Sequence, residues 1–181
     1  MKKTFKIALI GSHSCGKTTL TNTLSAKLKI PTKIKDIAEE LCLNRFHKKS
    51  PLDLTLEEFW EMEILFFSTQ LQGLTSGKSF ISDGGFILDP LYLQIVHNLT
   101  EKNPALKAFK KICLELTKHY THLIYLPPEI PHKDKSAEES FRKKVDSTLL
   151  GELKKNKLEY YTVTGNLEER VDKIKKIIIS S

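Results

Sequence analysis

Gly11-Ser12-His13-Ser14-Cys15-Gly16-Lys17-Thr18-Thr19 is the stretch whose reading decides the fold. It follows the apolar run Ile7-Ala8-Leu9-Ile10 and opens into a segment with Leu20, Leu24 and Leu28 at helical spacing. The pattern G-x-x-x-x-G-K-[ST] between a strand and a helix is that of a phosphate-binding loop. Such a loop turns backbone N–H groups around phosphate oxygens, and the helix N-terminus behind it adds partial positive charge. Gly11 and Gly16 permit the tight turn and the close approach of backbone to phosphate. Lys17 is expected to reach the β- and γ-phosphates of a nucleoside triphosphate, and the Thr18 hydroxyl to ligate Mg²⁺. Ser12, His13, Ser14, Cys15 and Thr19 complete the expected nucleotide cradle.

Outward from this loop, short segments bounded by turn or helix-stopping residues predict strands over 5–10, 32–35, 79–82, 122–126 and 160–163. Between them, helical spacing predicts 17–29, 37–46, 57–72, a segment within 86–99, 104–119, 136–153 and an amphipathic helix carrying Leu167, Val171, Ile174 and Ile178. Pro31 ends the first helix, Thr55 caps the third, and Pro104 starts the fifth. Strands alternating with helices imply an α/β domain with a mainly parallel sheet. No linker or repeat interrupts it, so residues 1–181 form one domain.

Composition narrows the function classes. No apolar run approaches the roughly 20 residues needed to span a bilayer, so no membrane partner is expected. Met1-Lys2-Lys3 reads as the start of the first strand rather than of an export signal. Three widely spaced cysteines make neither a disulfide framework nor a metal site, which fits a reducing cytoplasm. The net charge of +7 is spread along the chain, which reads as solvated helix faces plus a site for anionic phosphates. Nucleic acid is not the expected partner, for no basic, aromatic-interleaved strand is present.

In open α/β sheets the ligand lies outside the carboxyl ends of the strands. That rule gathers the loop, Asp36, Asp83 and Thr164-Gly165-Asn166 into one constellation. Asp83 is assigned to the metal and Asp36 to the proton of an attacking hydroxyl; helix capping and a turn role are the alternatives. The third helix is the expected acceptor wall. Phe59, Trp60, Glu63, Phe66, Phe67 and Gln70 recur along it. Aromatic rings stack on a flat heterocycle, and a Gln amide can bond a base edge. The alternative is an aromatic core helix with a surface Gln. Cys15 is either an oxidisable thiol or simply a small loop residue, and Cys42 and Cys113 read as core.

The chain resembles the small P-loop kinases that include bacterial ribosylnicotinamide kinase domains, grouped among AAA-type ATPase domains. It is more distantly similar to nucleoside and nucleoside-monophosphate kinases. The resemblance rests on G-S-H-S-C-G-K-T-T-L, on D-x-x-x-x-x-D-P-x-x-Y from Asp83 through Asp89 to Tyr92, and on I-Y-L-P-P-E-I-P from Ile124. It continues in F-R-K-K-V-D and in Y-Y-T-V-T-G-N-x-x-E-R-V, ending at Val171. It implies a three-layer, nucleoside/nucleotide-kinase-like P-loop NTPase fold with a five-stranded parallel sheet, flanking helices and a helical lid at about 129–150. It implies phosphoryl transfer from ATP, with Mg²⁺, to a nucleoside, a riboside such as ribosylnicotinamide, or a nucleotide. Asp89 and Tyr92 then join the acceptor side, Arg142 supplies lid charge, and Thr164-Gly165-Asn166 lie near adenine.

Three departures bear on the acceptor. Gly84 follows Asp83 where relatives commonly carry Arg, and Glu39 stands where Arg is expected after Asp36-Ile37-Ala38. Asp134-Lys135-Ser136-Ala137 replaces an Asp-Gly-x-Arg lid motif. Fewer cations remain to orient an acceptor phosphate, which favours a neutral nucleoside. They also admit two rivals: an ATP-binding regulatory module with weak transfer and, from the positive charge, a nucleic-acid-end kinase.

Overall fold

Strand β1 (Lys6–Ile10) shows in four residues how the layers form. Ile7 and Leu9 enter one buried cluster with Leu20, Leu24, Val171 and Ile174, while Ala8 and Ile10 enter another with Phe86, Leu91, Leu149 and Leu153. Alternate side chains point to opposite faces of a strand, so a run apolar at every position is a strand covered on both sides. The computed structural model describes residues 4–30, 32–34, 36–129 and 136–180. The expectations placed on Met1-Lys2-Lys3, Pro31, Lys35, Asp134 and Lys135 lie outside the described residues.

The five strands are β1, β2 (Thr32–Ile34), β3 (Phe80–Asp83), β4 (His122–Tyr125) and β5 (Tyr161–Thr162). They form one parallel sheet in the order β2-β3-β1-β4-β5. Helices α1 (Lys17–Leu28) and α7 (Leu167–Ser180) cover one face. Helices α3 (Leu56–Thr75), α4 (Leu88–Val96), α5 (Pro104–Thr117) and α6 (Ser136–Lys155) supply the other, and the short α2 (Ala38–Asn44) packs on α3. This is the three-layer α/β P-loop kinase-like fold.

Local chemistry sets the boundaries. Thr55 and Glu58 close a reciprocal capping box: Thr55 Oγ1 accepts from Glu58 N at 3.3 Å, and Thr55 N donates to Glu58 Oε2 at 2.8 Å. Asn103 caps α5 through Leu106 N at 3.0 Å, with Pro104 at the first position. Between α2 and α3 lies a 3-10 turn, Pro51–Asp53, whose N-cap Ser50 accepts from Leu52 N. The edge strand β5 is shorter than its apolar run because the ladder with β4 covers only two residue pairs.

The order places the site. The chain leaves β1 toward one edge and leaves β3 toward the other, which opens a crevice between their carboxyl ends. The register pairs Leu9 with Asp83, and Gly84 N donates to Leu9 O at 2.9 Å. Asp83 is thereby fixed beside the first residues of the phosphate loop.

A candidate nucleotide and acceptor site

The loop from Gly11 to Gly16 is shaped by backbone that few residues adopt. Gly11 and Gly16 have φ of 149° and 90°, and Ser14 also lies at positive φ, 55°. A Cβ at Gly11 would stand 2.5 Å from the Leu126 carbonyl oxygen and 2.9 Å from Cys15 Sγ. Lys17 starts α1 and folds back over the loop, its Nζ donating to Ser12 O at 2.8 Å and Gly11 O at 3.2 Å. Burial alone would lower the Lys17 ammonium, but Cys15, Tyr92, Asp83 and Asp36 around it more than offset that and leave its pKa raised. Lys17 therefore carries its charge at the loop.

Asp83 is buried, and burial pushes its carboxyl up against the opposing pull of the Thr18 hydroxyl and Lys17. Thr18 hydrogen-bonds to Asp83, whereas buried Asp83 Oδ1 has no partner among the described residues. An orphaned carboxylate oxygen beside an exposed threonine hydroxyl fits a hard cation such as Mg²⁺, which takes few protein oxygens and completes its shell with phosphates and water. The described residues contain no larger His/Cys/Asp/Glu group able to hold a metal.

Two further acids lie near Asp36. Glu63 on α3 and Asp89 on α4 are buried, 5% and 1% exposed. Burial raises both carboxyls well above their ordinary values; Asp89 and Asp36 add to the rise of Glu63, and Asp36 to that of Asp89. Tyr92, one turn after Asp89, is pushed up to about 12, chiefly by burial. Asp36 is exposed and adds its charge to the fields at Lys17, Asp83, Glu63, Asp89 and Tyr92. Its Oδ1 also accepts from Ala38 N at 2.9 Å, so it turns the chain into α2 while Ile37, not Asp36, occupies the cap position.

Two sequence expectations are corrected. Gln70 is fully buried: its Nε2 donates to both Asp89 oxygens, at 3.1 and 3.0 Å, and its Oε1 accepts from Tyr120 at 2.9 Å. Both ends of the amide are engaged inside the protein, so it is not an open base-reading group. Arg142 is 1% exposed and ion-paired to Glu139 at 3.5 Å, on a helix whose Val145, Leu149 and Leu153 are core. It belongs to a packed helix rather than to an exposed lid face; the lid call over 130–135 lies outside the described residues. Trp60 and Phe67 pack on Phe109 at ring distances of 5.5 Å, and Phe67 also meets Phe86 at 5.3 Å, which makes them core aromatics. Glu63, Asp89 and Tyr92 share their electrostatic surroundings with Asp36.

Gly84 occupies its position for a backbone reason. Its φ is 104°, and an added Cβ would meet the Phe66 ring at 3.3 Å. Thr164, Gly165 and Asn166 lie together at the start of α7. Asn166 exchanges cap hydrogen bonds with Glu169, at 3.1 and 3.0 Å, and Thr164 O accepts from Lys173 at 2.9 Å.

Residues not assigned from sequence also enter the site. The Phe141 ring on α6 lies 5.5 Å from His13 and 6.5 Å from Tyr92, linking loop and acceptor side. Arg170 donates to the Cys15 carbonyl of the loop and is itself paired with Glu129. Arg170 lay within the quoted E-R-V run, but nothing in its spacing indicated what it would touch. A separate hollow of about 270 Å³ between α5 and α6 is remote from this chemistry, and its Lys110 is neutralised by Glu101 and Glu152 at 2.8 and 2.6 Å.

Sheet order and loop together define a P-loop, kinase-like fold. A family profile described as an AAA domain matches residues 6–170, and the chain belongs to that family. A comparison with curated proteins finds no sequence match. Among solved structures, deoxyadenosine kinase from M. mycoides with the products dCMP and dCDP has a TM-score of 0.69 at 18% identity, covering 97% of this chain and 99% of that one. The same enzyme with bound dATP gives 0.67 at 19% identity, covering 97% and 100%. NadR protein in complex with NR gives 0.70 at 16% identity over 96% of this chain, which spans half of that chain. Among the described residues no helix is long and apolar enough to cross a membrane.

Proposed function

We propose that this protein transfers the γ-phosphoryl group of ATP to a hydroxyl of a small, nucleoside-like acceptor that carries no phosphate of its own. The observation that carries the reading is the phosphate loop with charged Lys17 set beside acidic rather than basic side chains. Asp36 and Asp83 act on Lys17, and an acceptor phosphate beside them would meet negative rather than positive groups. An uncharged nucleoside or a cationic N-riboside suits that surface. Kinase-like neighbours whose structures hold dCMP, dATP or NR support the same class.

In this reading loop N–H groups and Lys17 bind the β- and γ-phosphates, while Thr18 and Asp83 would hold Mg²⁺. Mg²⁺ bound there supplies neutralisation of phosphate charge and fixes the orientation of the oxygens. Asp36 accepts the proton of the attacking hydroxyl. Tyr92 and Glu63 line the acceptor side, and Thr164-Gly165-Asn166 lie toward the base of ATP.

A phosphorylation assay over nucleosides, ribosylnicotinamide and nucleoside monophosphates tests this. Product is expected with a non-phosphorylated acceptor. ATP binding without product from any member, or product from monophosphates alone, refutes it. Lys17→Ala should weaken ATP binding by about tenfold or more, and Asp36→Asn should retain it while lowering turnover about 10²–10⁴-fold. A second reading, an ATP-binding regulatory module, is favoured by the engaged Gln70 amide. Its mark would be ADP release that small acceptors do not stimulate.

A further inference from the structure

The first turn of α7 reaches the phosphate loop through one buried side chain. Arg170, 3% exposed, donates from Nη1 to the Cys15 carbonyl at 2.7 Å and from Nη2 to Glu129 Oε2 at 3.3 Å. That same Glu129 oxygen accepts the backbone N–H of Gly165 at 3.0 Å. Glu129 follows β4, Gly165 precedes α7, and Cys15 lies in the loop after β1, so three chain segments meet on one ion pair. The Arg170 Nε has no partner among the described residues, so the guanidinium is oriented through its two terminal nitrogens.

The geometry has a consequence for phosphate binding. In a trans peptide the C=O and the following N–H point in opposite directions. A Cys15 carbonyl held outward on Arg170 turns the Gly16 N–H to the other side of the peptide plane. Gly16, at φ 90°, keeps that orientation as the chain enters α1. Arg forms this link better than Lys, because its planar fork serves two acceptors at once.

We propose that Arg170, oriented by Glu129, is a positioning residue that presets the Cys15–Gly16 peptide for phosphate and couples it to the loop around Gly165. The inference rests on the nucleotide-binding reading above and extends it. Neither residue touches the phosphates; both act through the backbone they hold. The coupling runs both ways, so a ligand ordering the 163–166 segment also favours the phosphate-ready loop.

The test compares wild type with Arg170→Lys, Arg170→Met and Glu129→Gln in the full chain. ATP and inorganic tripolyphosphate, which has no base, are titrated calorimetrically, and backbone hydrogen exchange over 11–17 is followed without nucleotide. Arg170→Met should weaken both ligands about tenfold or more and speed exchange at Gly16. Arg170→Lys should recover only part of the loss. Glu129→Gln should weaken binding in the same sense, and combining it with Arg170→Met should add little. A merely structural role would lower the melting temperature while leaving tripolyphosphate affinity and Gly16 exchange as in wild type. That result, or full rescue by lysine, overturns the proposal. Should wild type bind neither ligand, the nucleotide reading fails, and the exchange at Gly16 still decides whether Arg170 presets the loop. Should Arg170→Met not fold, Glu129→Gln at the exposed end of the pair carries the same comparison.

Discussion

Replacing Glu63 by glutamine should stabilise the protein, and increasingly so as pH rises. Glu63 is 5% exposed and makes no hydrogen bond among the described residues, with Asp89 and Asp36 as acidic neighbours. Its carboxyl titrates well above the ordinary value in the folded chain, so the folded state holds a proton that the unfolded chain has released. A raised folded pKa contributes stability that is complete below the unfolded value of about 4.5 and is lost as pH climbs to the folded one. Between those limits each such group removes about 1.4 kcal/mol of stability per pH unit. The substituted amide has no proton to lose. The difference in unfolding free energy between Glu63→Gln and wild type should therefore grow by up to about 1.4 kcal/mol per pH unit from the unfolded value upward. For a chain of this size, 1 kcal/mol corresponds to roughly 2–4 °C in Tm. Urea denaturation of both proteins at several pH values, from the unfolded carboxyl value into the mildly alkaline range, measures this difference, in which carboxylates that do not interact with Glu63 cancel. Parallel curves, or a difference shrinking as pH rises, would refute both the burial argument and the placement of Glu63 against Asp89.

Other substitutions probe the site from different sides. Gly11→Ala forces a Cβ toward the Leu126 carbonyl and Cys15 Sγ at φ 149°; it should cost about 2–4 kcal/mol and abolish tight ATP binding, as melting and titration would show. Gln70→Leu leaves the Asp89 carboxyl and the Tyr120 hydroxyl without their partner, at about 1–3 kcal/mol each, visible as a lower urea midpoint.

The nucleotide half of the crevice was legible because a phosphate loop is a local object. Gly11, Gly16, Lys17 and Thr18 are consecutive or nearly so, and their spacing alone dictates the turn and the helix that follows. The fold was legible for a related reason: runs apolar at every position can only be strands covered on both faces, and here they alternate with amphipathic helices. Asp83 followed from the rule that strand ends face the ligand, and the Leu9–Asp83 register places it beside the loop.

The acceptor half was not legible, because its residues answer to partners distant in sequence. Gln70 has the spacing of a wall residue, yet Tyr120, fifty positions away, and Asp89 hold its amide inside. Arg142 stands in a basic run that suggests a solvated lid, but α6 carries Val145, Leu149 and Leu153 on one stripe, and packing that stripe draws Arg142 into the protein. Gly84 marks the same limit from the opposite direction. Read as a missing Arg it implies lost function, whereas a φ of 104° against the Phe66 ring shows a backbone in which a side chain would be strained. If that strain and not drift fixed the glycine, Gly84→Arg would not restore a phosphate-orienting cation; it would displace Phe66 and the α3 wall with it.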